Sequence, residues 1–148
     1  MMDTLNSIIR GRKTWTITPD MTVLEAADFM AGKRIGAVPV VDGDRLIGIF
    51  SERDLMTRVV VAGRAPVETR VSEVMTRNVV IGNPNESCVE GMRRMQQARC
   101  RHLPIVMDGK LLGLVSLRDL LQLEIEEKNE EIRFMNEYIH SMPSAYGH

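Results

Sequence analysis

Between residues 14 and 55 the apolar positions change their spacing in a fixed order. The stretch TWTITPD (14–20) alternates polar and apolar residues, the signature of a short strand that ends at proline. From residue 24 the spacing turns helical, with Leu24, Ala27 and Met30 on one stripe and Gly32 ending it. Thr22-Val-Leu-Glu25 before that stripe is a capping box, a hydroxyl for the free N–H groups and a carboxylate reaching back. AVPVV (37–41) is continuously apolar, and its proline predicts an edge strand or a missing ladder bond. Asp42-Gly43-Asp44 is a turn joining it to RLIGIF (45–50) as a hairpin, and Ser51-Glu52-Arg53-Asp54 opens a second helix.

The same order returns 65 residues later without a gap. Laying 83–120 over 18–55 gives twelve identities in 38 positions, too many in unbroken register for chance, among them Pro39/Pro104, Gly48/Gly113, Ser51/Ser116, Arg53/Arg118 and Asp54/Asp119. Ser87-Cys-Val-Glu90 repeats the capping box, Val89, Met92 and Met95 repeat the stripe, and Asp108-Gly109 repeats the turn. Each copy therefore reads β-α-β-β-α, roughly fifty residues, too few to be comfortable alone. The predicted fold is α+β: two such units packed by pseudo-twofold symmetry, with a C-terminal helix added. The boundaries are an N-terminal segment 1–13, unit one 14–62, a linker and lead-in helix 63–77, unit two 78–122, and a helix and tail 123–148.

In that last segment Leu121, Ile125, Lys128, Ile132, Met135 and Ile139 fall at 4-3-4-3-4 spacing. Two readings stand open: the stripe folds back on its own core, or it is a subunit contact. The closing PSAYGH is expected to be disordered.

Composition narrows the function. Nineteen basic against twenty acidic residues leave a net charge of −1, so no overall field attracts nucleic acid or a membrane. No apolar run is long enough to span a bilayer and no secretory leader is visible, which predicts a cytoplasmic protein. Two cysteines, Cys88 and Cys100, make neither a disulfide framework nor a metal motif. No triad or catalytic carboxylate pair is recognisable, so the chain is read as a non-enzyme. Arg58, Arg64 and Arg70 are within range of a phosphate in principle, but surface solvation is the expected role of each.

The candidate chemistry lies in Ser-x-Arg-Asp. A helix start offers free N–H groups and the positive end of a dipole, where phosphate binds readily. Ser51 adds a hydroxyl, Arg53 a fork for phosphate oxygens, and Asp54 an acceptor for a ribose diol; Ser116, Arg118 and Asp119 repeat the set. Serine as a cap and aspartate in the first turn are also favourable on local grounds alone, so spacing does not separate a nucleotide site from two helix caps.

These motifs, TPD-x-TV-x-EA, GAVPVVD, LIGIFSERDL and their second copy, resemble a tandem pair of CBS domains over about residues 14–122. The NEYIHS ending is similar to that of small stand-alone bacterial members. The resemblance implies a regulatory module, a sensor of energy or redox state, binding AMP, ADP, ATP, S-adenosylmethionine or NAD in clefts between the units, with AMP first among them. It implies that Asp54 and Asp119 hold ribose hydroxyls and that Ser51 and Ser116 lie near ribose or phosphate. Ile35, Gly36, Ala37 and Val38, with Cys100, Arg101, His102 and Leu103, would line the adenine pockets. Thr16 would join them in the first copy, where the second has Ile81. That difference, and Gly36-Ala37 against Arg101-His102, predict unequal clefts, one taking a bulkier or different adenosyl ligand. The family habit also implies a homodimer and an effector protein as partner. The alternative is an interaction protein that dimerises through its C-terminal helix and leaves the clefts unused.

Overall fold

The computed structural model describes residues 3–141; the expectation for PSAYGH lies outside them. The elements follow the order α1 (Leu5–Ile9), α2 (Val23–Lys33), β1 (Ala37–Asp42), β2 (Arg45–Ser51), α3 (Glu52–Asp54), α4 (Val71–Val74), α5 (Cys88–Ala98), β3 (His102–Met107), β4 (Lys110–Ser116) and α6 (Leu117–Ser141). A π-helical stretch, Leu55–Val60, continues α3. The fold is the mixed α+β arrangement that the repeat requires.

One antiparallel sheet runs in the order β1-β2-β4-β3. Each hairpin is tight because its loop residues accept the twist: Gly43 has φ +66°, and Asp108 and Gly109 have +53° and +79°. Both outer strands carry a bulge at the matching place, Val40/Val41 and Ile105/Val106. The opening strand of each unit shrinks to one bridge. Ile17 donates to Pro39 O and accepts from Val41; Gly82 donates to Pro104 O and accepts from Val106. The prolines thus sit where a carbonyl is wanted more than an N–H. Between the hairpins β2 meets β4 only at Arg45 and Lys110, with backbone bonds from Leu46 to Gly109 and from Leu111 to Asp44.

Each unit has its own core. Phe50, Val23, Val38, Val40, Val59, Val71 and Val74 close the first; Leu103, Ile105, Val115, Leu120 and Met95 close the second with Leu5 and Ile9. The lead-in segments are exchanged. α1 precedes unit one but packs on unit two, and α4 precedes unit two but packs on unit one. Backbone bonds repeat the exchange: Cys88 N–H donates to Asp3 O and Val23 N–H to Thr69 O. The motif glycines make room for it. A Cβ on Gly113 would stand 2.7 Å from Ile9 Cγ2, and one on Gly48 would stand 2.8 Å from Met75 Sδ.

Several expectations change in detail. The buried stripe of α2 is Val23, Ala26 and Met30, and that of α5 is Cys88, Gly91 and Met95, so Leu24 and Val89 turn outward. The apolar pairs at 23/24 and 26/27 permit two phases, and packing against the sheet selects the earlier one. Gly32 lies inside α2; the helix ends at Arg34, left-handed at φ +57°, as α5 ends at Arg99, φ +55°. Thr22 and Glu25 form the predicted box, but Glu90 turns to Arg93 and only Ser87 caps α5. Finally, α6 runs 25 residues, past its core. Leu120 is buried, whereas Leu121, Ile125, Ile132, Met135 and Ile139 are all exposed, which removes the fold-back reading for the single chain.

Leu5, fully buried, is the plug of the second core, so Leu5→Ala should cost about 2–5 kcal/mol. In urea titration the midpoint should fall with an unchanged slope.

Candidate ligand-binding cleft

Both Ser-x-Arg-Asp turns are reciprocal caps. Ser51 donates to Asp54 Oδ2 from N–H and Oγ, both at 3.0 Å, and its Oγ accepts from Asp54 N–H at 3.2 Å. Ser116 N–H donates to Asp119 Oδ2 at 2.9 Å, and Asp119 N–H returns a bond to Ser116 Oγ at 3.0 Å. The second oxygens differ. Thr76 Oγ1 donates to Asp54 Oδ1 at 3.1 Å, Arg58 Nε stands 3.7 Å away, and Asp54 is 5% exposed. Asp119 is instead held by Arg12, whose Nη1 meets Oδ1 and whose Nη2 meets Oδ2, both at 3.1 Å.

A cleft of about 370 Å³ opens around Asp119. Ile35, Gly36 and Ala37 of unit one face His102, Ser116 and Arg118 of unit two across it, and the connector between α1 and unit one crosses its mouth as Arg12, Lys13, Thr14 and Trp15. Arg34 reaches the rim from its left-handed turn. Four cations, Arg12, Lys13, Arg34 and Arg118, therefore line the cleft beside a single carboxylate, Asp119. Glu52 lies next to it, its carboxylate 3.3 Å from where a Gly36 Cβ would stand. Trp15, the chain's one tryptophan, has Lys33 Nζ at 4.2 Å and Lys13 Nζ at 4.5 Å from its ring centre and Phe29 edge-on.

The electrostatics follow from burial and partners. Burial raises the Asp119 carboxyl, but the Arg12 hydrogen bond and charge and the Ser116 bonds outweigh it, leaving the group below the usual carboxylate value. Burial pushes His102 below the ordinary imidazole value, aided by Arg101 and opposed by Asp119 and Glu52. Burial also drives the Cys88 thiol up to about 11 and raises Cys100.

The other residues singled out from sequence lie elsewhere. Ser51, Arg53 and Asp54 stand at the equivalent turn of unit one, where Asp54 is buried, and line neither the cleft nor the groove beside it. Thr16 is exposed, and Thr14 and Trp15 hold the place given to it. Val38 and Leu103 are core side chains. Ile81 is exposed, its carbonyl accepting from Arg94 at 2.6 Å, and Cys100 packs against the second core. Arg101 sits with His102 and Arg118 in an adjoining apolar groove running to Leu121 and Ile125. Arg58, Arg64 and Arg70 are not loose surface charges: Arg58 binds the Val74 and Met75 carbonyls and Arg70 the Asp20 carbonyl, pinning the linker to unit one, while Arg64 pairs with Glu73 within the linker.

A paired repeat with a ligand-sized cleft between its halves is the architecture of a tandem regulatory module. The CBS-domain profile matches residues 9–61 and 71–126, and the chain belongs to the CBS-domain family. The CBS domain-containing protein YhcV of Bacillus subtilis is 42% identical over 105 residues, 71% of this chain and 74% of that one. The mitochondrial CBSX3 of Arabidopsis thaliana is 32% identical over 134 residues, 87% of this chain and 65% of the relative, so the chain spans just under two thirds of that protein. Among solved structures, a CBS-domain protein of Burkholderia ambifaria superposes with a TM-score of 0.77 at 40% identity, covering 83% of this chain and 94% of the other.

The unequal surroundings of the two aspartates predict unequal roles in stability. Asp54→Ala should cost about 2 kcal/mol, because it removes a buried carboxylate and leaves the part-buried Ser51 and Thr76 without their acceptor, and Asp119→Ala about 1 kcal/mol. The Asp119 contribution also has a pH window. Its folded value lies below its unfolded one, so the stabilisation is complete above the ordinary carboxylate range and lost as pH falls through the folded value. The gap between wild type and Asp119→Asn in urea midpoint should therefore be widest near about pH 6 and narrow as pH falls below the ordinary carboxylate range.

Proposed function

We propose that the protein is a non-catalytic sensor that binds an adenine nucleotide in the Asp119 cleft and signals occupancy to an effector protein. The carrying observation is the joining of an acceptor for a ribose diol, a helix N-terminus and four cations in one cleft. Apolar Ile35 and Ala37 with Gly36 offer a flat wall for a base. A cleft of this size is at the small end for ligand sites, about 300–1,000 Å³, which favours AMP, or ATP with its tail in solvent, over NAD. The cationic lining disfavours S-adenosylmethionine, itself a cation. Raised thiol values argue against nucleophilic catalysis, and no nucleotide should be turned over. Two free cysteines suit the cytoplasm. Among the described residues no helix is long and apolar enough to cross a membrane, and a net charge of −1 gives no pull toward nucleic acid.

Homodimerisation belongs to the same reading. Exposed apolar positions recur at the repeat spacing, Leu24/Val89, Met56/Leu121 and Val60/Ile125, so one face is presented twice by the pseudo-twofold. Such a face suits a second copy of the chain, bound isologously. A hexameric CBS-CP12 protein from bloom-forming cyanobacteria is among the structural neighbours, at 27% identity and a TM-score of 0.70 over 91% of this chain. The exposed stripe of α6 supports the second reading, an interaction protein that assembles through this helix without a ligand.

Denaturing the purified protein should release AMP or ATP, identified by mass spectrometry. Calorimetry on the emptied protein should give micromolar rebinding at one site per chain, lost in Asp119→Ala. No release and no heat from AMP, ATP, NAD or S-adenosylmethionine would leave the interaction-protein reading. Light scattering should return twice the chain mass in both wild type and Asp119→Ala; a monomer at micromolar concentration would remove the dimer.

A further inference from the structure

Arg12 stands on the oxygens that a ribose would need. An ionised carboxylate has about four lone-pair sites. On Asp119, Oδ2 accepts from Ser116 N–H and Arg12 Nη2, and Oδ1 accepts from Arg12 Nη1. A vicinal diol brings two donors, so it cannot be received in full while both arms of the fork stay in place. Arg12 has somewhere to go. Its Nη2 also donates to Leu114 O at 2.8 Å, and its remaining N–H donors are uncommitted to Asp119. It cannot go far, because Ile9, three residues earlier, is buried against unit two.

We propose that Arg12 makes the cleft select nucleotides over nucleosides by exchanging Asp119 for the ligand's phosphate; this rests on the nucleotide reading above. A nucleoside entering the cleft breaks the Arg12–Asp119 fork and leaves a guanidinium without its anion. A nucleotide breaks the same fork and supplies the anion. The other cations of the lining, Lys13, Arg34 and Arg118, attract phosphate without touching Asp119, so they raise nucleotide affinity and leave the nucleoside alone. Arg12 acts on both, in opposite directions.

The test is calorimetry with adenosine and AMP on wild type, Arg12→Met, Arg12→Lys and Arg118→Met, with Trp15 emission as a second readout. Wild type should bind AMP far better than adenosine. In Arg12→Met, adenosine should tighten or become measurable while AMP weakens, narrowing their ratio by about tenfold or more. Arg12→Lys should recover part of the AMP affinity. Arg118→Met should weaken AMP with no gain for adenosine. An unchanged ratio in Arg12→Met, or parallel weakening of both ligands, would overturn the proposal, the second showing Arg12 to be a structural brace. Wild type that binds neither compound would remove the nucleotide reading, and this inference with it; urea midpoints of each variant separate lost binding from lost folding.

Discussion

The burial of Leu5 and Ile9 in the far unit is the contact on which the rest of the structure depends. Gly82 and Gly91 are open because Leu5 fills them: a Cβ on either would come within 2.9 Å of its methyl groups. Once α1 is seated there, the chain must cross from unit two back to unit one to begin the first repeat. That crossing runs along the inter-unit cleft, and it lays Arg12, Lys13 and Trp15 on its rim. α4 performs the reciprocal service, and Arg58, Arg64 and Arg70 tie its flanks down. Each half thus completes its core with a segment that belongs, by sequence, to the other.

The exchange also explains why identical phrases come to mean different things. Ser51-Glu-Arg-Asp54 and Ser116-Leu-Arg-Asp119 make the same cap, but what crosses above them differs. Over the first comes Thr76, whose short hydroxyl closes on Asp54 and seals it from water. Over the second comes Arg12, a long cation that leaves the carboxylate partly open. A buried carboxylate held by short hydroxyls, with Arg58 at 3.7 Å, makes a fixed helix start; a half-exposed ion pair makes a group that can change partners. Duplication supplied two caps, and the connectors made one of them a brace.

Much of this was legible in the sequence because it depends on local chemistry. The hairpins follow from Gly43 and Asp108-Gly109, the box at Thr22 from a hydroxyl and a carboxylate three residues apart, and the pairing of units from the unbroken 65-residue register. What escaped notice depends on tertiary contact. The phase of α2 was ambiguous between Val23 and Leu24 until the sheet chose. Glu90 left its cap because Arg93 lay one turn away. Thr16 was expected in the pocket from the family resemblance, which implies a hydroxyl in the opening strand, yet only Ile17 of that strand is paired and Thr16 faces solvent. Arg12 carried no visible signal, because the exchanged segments are spaced by 66 residues while the units are spaced by 65: Asp3 and Thr69 serve Cys88 and Val23. The unbroken 65-residue register ends before that slip and does not reach Arg12, the residue that holds Asp119.

α6 begins just after Ser116, on the wall of the cleft, and continues for 25 residues, about 37 Å. The same hydrogen bonds that define the pocket therefore form the pivot of the longest rigid rod in the molecule. The hairpins beside it are joined by one strand-to-strand pair, so the exchanged segments α1 and α4 carry most of the contact between the halves. By that length Ile139, two residues before the helix ends, stands far from the cap that starts it. One end of the rod is thus fixed in the wall of the cleft, and the other stands clear of both cores with its apolar side chains bare.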